Sequence, residues 1–99
     1  MSYRLRYSVE AREDLTRLYD FLLQQDLQAA DRAVETIVRA TNGLREFPFG
    51  ARRAPGEDSF LRELVTPFGS GGYVALSEVE DAKTVTILAV RNHREDDYH

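Results

Sequence analysis

Chemistry at neutral pH needs a group that moves a proton and groups that hold an anion, and this sequence gathers both types near residue 93. His93 stands between Arg91 and Arg94, with Tyr98 shortly after. An imidazole titrates close to neutrality, so His93 is a candidate for general acid–base work, although a histidine following a strand more often serves as a plain hydrogen-bonding residue. Tyr98 as a base needs a pKa well below its ordinary value of about 10, and Arg94 is the only local group that would stabilise the phenolate; the other reading is an aromatic anchor. Guanidinium forks grip carboxylate or phosphate at two points. Arg62, between Leu61 and Glu63, is read first as one half of an ion pair and second as a ligand-binding group. Arg52 and Arg53 sit in a segment with Gly50, Pro55 and Gly56 and are accessible enough to meet a partner.

Other chemistries are excluded or unsupported. Without cysteine there is no disulfide, thiolate metal site or cysteine nucleophile. The two histidines stand at a polar terminus with no second cluster at ligand spacing, and no glycine-rich phosphate loop follows a strand, so neither metal nor cofactor is expected. The run Glu95-Asp96-Asp97 reads as a solvated tail. A net charge of −4 opposes tight nonspecific binding to nucleic acid and suits a protein partner. No apolar run is long enough to span a bilayer and no signal peptide is evident, so a cytoplasmic protein is expected.

The elements that must position these residues follow from periodicity. At 99 residues and 42% hydrophobic, the chain is expected to form one domain over 1–99. Tyr3, Leu5 and Tyr7 alternate with Arg4 and Arg6, which predicts a strand. From Ser8, a cap, the residues Ala11, Leu15, Leu18 and Leu22, widened by Tyr19, trace a helix to about Gln25. Asp26 caps a second helix whose stripe Ala30, Ala33, Val34, Ile37, Thr41, Leu44 and Phe47 continues until Pro48. So short a connection makes the pair an antiparallel hairpin. Pro48 to Ser59 reads as an exposed connection. Strands are expected over 60–65, 73–79 and 84–91, with the glycine-rich stretch 66–72 as a flexible loop. Arg91 keeps the parity of Val85, Ile87 and Ala89, which would aim it at apolar surface, with Glu63 or Glu95 as its partner. The fold class is α+β: an N-terminal strand, an antiparallel two-helix hairpin, then a three-strand antiparallel meander, one sheet packed on the hairpin.

The order of elements and several strings resemble the RelE/ParE toxin superfamily along nearly the whole chain. These strings are Glu13-Asp14-Leu15, Ala29-Ala30, Leu44-Arg45-Glu46-Phe47-Pro48, Leu61-Arg62-Glu63-Leu64, and Val85 to Val90 followed by Arg91-Asn92-His93-Arg94-Glu95. The resemblance implies the toxin of a type II, plasmid-stabilising toxin–antitoxin pair. Its members either cleave messenger RNA on the ribosome or, in the ParE branch, poison DNA gyrase. Ribonuclease members are strongly basic and carry an arginine just after an aromatic in the third strand; here Val74 follows Tyr73. RNA cleavage by the 2′-hydroxyl passes through a dianionic phosphorane that needs fixed cations, a base and an acid. Arg62, Arg91, His93 and Tyr98 are the candidates for that alternative. The acidic balance and Val74 favour ParE-like gyrase inhibition without catalysis, with a non-toxic antitoxin-binding homologue as a further alternative. A cognate antitoxin is expected to cover apolar residues outside the main stripes, with Leu23, Leu27, Val38, Arg52, Arg53 and Arg94 as candidate contacts.

Overall fold

The computed structural model describes residues 2–54, 56, 60–69 and 71–92. The chain runs β1 (Arg4–Tyr7), α1 (Val9–Leu23), α2 (Leu27–Asn42), a 3-10 turn (Gly43–Arg45), β2 (Arg52–Arg53), β3 (Leu61–Phe68), β4 (Gly71–Val79) and β5 (Thr84–Asn92). One sheet forms in the order β1-β5-β4-β3-β2. β1 lies parallel to β5, and the other pairs are antiparallel. The α+β architecture expected from the sequence is the one observed.

Both helices start where a side chain can take up a free amide. Ser8 Oγ accepts from Ala11 N–H at 3.0 Å and Asp26 Oδ1 accepts from Gln28 N–H at 2.9 Å. Ala11, Ala30 and Ala33 are buried at the hairpin, and their small side chains let α1 and α2 approach closely. The hairpin covers one face of the sheet. Ile37 and Leu44 meet Tyr73, Ala75, Val79, Val85, Ile87 and Val90 there, and Val85, Ile87 and Val90 lose all contact with solvent.

Three boundaries differ from the sequence reading, each for a local reason. The second helix ends at Asn42 rather than Phe47, because the chain tightens into the 3-10 turn at Gly43; Leu44 stays in the core while Phe47 turns out to solvent. The pair Arg52-Arg53 is not bare loop but a short strand bridged to Arg62 and Glu63. The stretch 66–72 is not a long flexible loop. β3 and β4 continue in register until Phe68 faces Gly71, leaving a two-residue turn with Gly69 at a φ of +60°. Two-residue hairpin turns require that left-handed backbone, which glycine adopts without strain. Gly72 is needed for a different reason: a Cβ there would lie 2.5 Å from the Thr66 carbonyl oxygen.

Candidate functional site

A break in the β4–β5 ladder decides which way the last strand points its side chains. The register runs Leu76↔Ala89 and then Ser77↔Ile87, so Leu88 is an extra residue in β5. Parity inverts across it. Val85 and Ile87 face the helices on one side of the bulge, and Val90 does so on the other, while Ala89 and Arg91 turn to the face the helices leave open. The expectation that Arg91 shares a face with Val85 and Ile87 is therefore corrected: the strand is not regular between them.

Helix α1 holds the bulge. Ser8 N–H donates to the Ile87 carbonyl at 2.9 Å and Ser8 Oγ–H to the Leu88 carbonyl at 3.0 Å. Asp14, almost wholly buried, accepts the Val90 N–H on Oδ2 at 2.9 Å, and its Oδ1 meets Arg17 at 3.1 Å. Backbone groups at the bulge are thus satisfied by Ser8, the cap of α1, and by Asp14 within that helix. The string containing Asp14 was visible in the sequence, but its role was not, because helix periodicity cannot show a carboxylate meeting a strand amide.

On the open face lies a depression of about 170 Å³ lined by Glu63, Val74, Leu76, Ala89 and Arg91. Val74, which occupies the position after the aromatic, is buried. Glu63 does not pair with Arg91; Arg52 takes it, with Nε and Nη2 each 3.1 Å from Oε1. Arg91 is exposed and makes no ion pair among the described residues. Arg62 lies on the opposite, helix-side face in parity with Leu64, its guanidinium carbon 4.9 Å from the centre of the Phe49 ring. The sheet therefore separates Arg62 from Arg91. His93, Arg94 and Tyr98 fall outside the described residues.

The outer side of the hairpin presents apolar groups. Leu23, Leu27 and Val38 are exposed, as the stripe pattern anticipates, and so is Phe21, which that reading overlooked. Between the helices a groove of about 460 Å³ is lined by Tyr19, Asp31, Val34, Glu35 and Val38. The Tyr19 hydroxyl donates to Asp31 Oδ1 at 3.0 Å, and this hydrogen bond raises the phenol pKa above its ordinary value. Among the described residues no cluster of His, Asp or Glu is placed to hold a metal ion, and no helix is long and apolar enough to cross a membrane.

A family model, described as the ParE toxin of the type II toxin–antitoxin system parDE, matches residues 5–97. The chain belongs to the ParE toxin family. Toxin RelE3 of Caulobacter vibrioides is 40% identical over 65 residues, covering 65% of this chain and 66% of that protein, so the match spans just under two thirds of the relative's length. Among solved structures, the chromosomal ParDE system from P. aeruginosa aligns with a TM-score of 0.75 and 23% identity, over 92% of this chain and 96% of that one. The toxin–antitoxin complex RelBE2 from Mycobacterium tuberculosis gives 0.66 and 22%, over 93% and 99%. At those identities the two structures speak to the fold, and the fold agrees. Family membership places this chain in the RelE/ParE toxin superfamily.

Proposed function

We propose that this ParE-family toxin acts by gripping a protein target, DNA gyrase, without making or breaking bonds itself, and that a cognate antitoxin holds it silent. The observation carrying this reading is Val74, buried in the open-face depression where the resemblance to ribonuclease members calls for an arginine. A phosphorane needs fixed positive charge. The depression is lined by one guanidinium, Arg91, and one carboxylate, Glu63, already committed to Arg52. The net charge of −4 also slows approach to an RNA-rich surface. Antitoxin binding is supported by exposed Leu23, Leu27 and Val38 beside the hairpin groove, a surface suited to a helical or extended segment. The two solved structures cited above are themselves toxin–antitoxin systems.

Induced expression in a bacterial host, alone and with the adjacent reading frame, tests this. Growth arrest with DNA-break markers, altered supercoiling and continuing translation, relieved by the neighbour, is the expected result. Arrest with immediate loss of translation would instead support an endoribonuclease; no arrest would support a non-toxic antitoxin-binding homologue. The ribonuclease reading keeps one observation in its favour: Arg91 lines the open-face depression and makes no ion pair among the described residues. Under that reading Arg91→Ala and His93→Ala abolish transcript cleavage and toxicity together; under gyrase inhibition neither changes transcript integrity.

A further inference from the structure

Helix α1 uses one side to build the fold and leaves the other in water. Ala11, Asp14 and Leu18 face inward and are buried. On the outer side a shallow groove of about 690 Å³ runs from Val9 past Thr16 to Phe21. Its two apolar ends are well exposed, Val9 at 65% and Phe21 at 61%. Four exposed charges lie between them: Arg12, Glu13, Arg17 and Asp20. Arg12, Glu13 and Asp20 make no ion pair among the described residues, and Arg17 contacts Asp14 with its side chain still 59% exposed.

The order of these groups is the informative part. From Val9 to Phe21 the face reads apolar, positive, negative, hydroxyl, positive, negative, apolar. Read in reverse, every charge is replaced by its opposite and the other positions keep their type. A second copy of α1 laid antiparallel across the first therefore sets Arg12 against Asp20 and Glu13 against Arg17, each pair occurring twice, and brings the Val9 end of one copy to the Phe21 end of the other. The pairs share a centre: Arg12 with Asp20 is symmetric about Thr16, and Glu13 with Arg17 about Leu15, an offset of one residue or about 1.5 Å of helical rise, which long side chains absorb. Self-complementarity of this kind is what a two-fold contact requires, because one patch must serve as both partners. A parallel approach would set like charges together. Nucleic acid is opposed by the two carboxylates that alternate with the guanidiniums.

We propose that the outer face of α1 is a self-association surface, on which two copies of this chain pair antiparallel about a two-fold axis near Thr16. One helix face is smaller than the roughly 800 Å² per partner of a standard interface, so the dimer is weak and reversible. The hairpin lies between this face and the sheet, so the open-face depressions of the two copies point away from each other and both stay accessible.

Sedimentation equilibrium of the full-length chain, from micromolar to millimolar concentration, tests this. A reversible shift from monomer to dimer is expected. Arg12→Asp and Asp20→Arg change exposed side chains only, and each is expected to weaken dimerisation by about tenfold or more, because the two-fold axis turns two attractive contacts repulsive at once. Mixed in equal amounts, the two variants are expected to pair with each other, since opposite charges then face at every position; the chain carrying both substitutions should dimerise like the parent. Phe21→Ser is expected to weaken the dimer severalfold. A parent chain that stays monomeric through the millimolar range would overturn the proposal, and so would a dimer whose strength neither charge substitution alters. Failure of the two variants to pair when mixed, with each folded by circular dichroism, would overturn it as well.

Discussion

The bulge in β5 and the short strand β2 set the fold the same problem, polar groups at a place where the ladder stops, and the molecule treats them differently. At the bulge, Ser8 and Asp14 reach over from α1 and satisfy the stranded carbonyls and amide within the chain. At β2, Arg53 faces Arg62, the buried Arg62 Nε has no hydrogen-bond partner among the described residues, and Phe47 is 74% exposed. A region that satisfies its own groups is a structural joint. One that leaves them open carries a cost, because an unmet buried donor forfeits about 1–3 kcal/mol.

The sharpest way to separate the two regions is to damage each and watch stability. Ile87→Ala, which empties a fully buried position beside the bulge, is expected to destabilise by about 2–5 kcal/mol in chemical denaturation. Asp14→Ala comes next, with about 1.5–3 kcal/mol lost, since it removes a charged acceptor from a buried amide. Hydrogen exchange at the Val90 amide should speed up in that variant, and Asp14→Asn, which keeps an acceptor, should recover part of the loss. A stability unchanged by Asp14→Ala would show that the clamp is not what holds the bulge. Phe49→Ala is expected to cost only about 0.5–1 kcal/mol, the size of an exposed cation–π contact. A large loss of stability there would erase the contrast.

The smallest effect concerns Tyr19. Its pKa is raised in the fold by the hydrogen bond to Asp31, so the protonated phenol is the form the folded state prefers. The contribution is fully present below the unfolded pKa of about 10 and is lost as pH rises through the higher folded value. Absorbance titration should show this phenol ionising at lower pH in Asp31→Asn than in the parent chain, and the alkaline fall in stability should be shallower in that variant.

Legibility in the sequence followed the range of the forces involved. The hairpin, its caps Ser8 and Asp26, and the exposure of Leu23, Leu27 and Val38 are consequences of helical periodicity and local capping, which act within a turn or two. Arg91 was misplaced because a single inserted residue in β5 inverts parity, and that insertion is defined only against β4. Phe47 looked like part of a buried stripe because the tightening at Gly43 is not a periodic signal. The β3–β4 turn was misread because the three glycines Gly69, Gly71 and Gly72 suggest looseness, whereas Gly69 and Gly72 each answer a specific steric demand. The pairing of Arg53 with Arg62 joins two segments whose register no local pattern records.

The parallel pairing of β1 with β5 sets the order in which the toxin can come into being. Arg4 pairs with Thr84, and Ser8, which starts α1, bonds to Leu88, 80 residues away. Helix α1 and helix α2 can form as soon as they leave the ribosome, but β1 has no strand beside it until β5 has emerged. Such distant closure is slow relative to local helix formation. During synthesis, then, the hairpin, with Leu23, Leu27 and Val38 on its outer side, is complete before the open face of the sheet, with Arg91 on it, has been built.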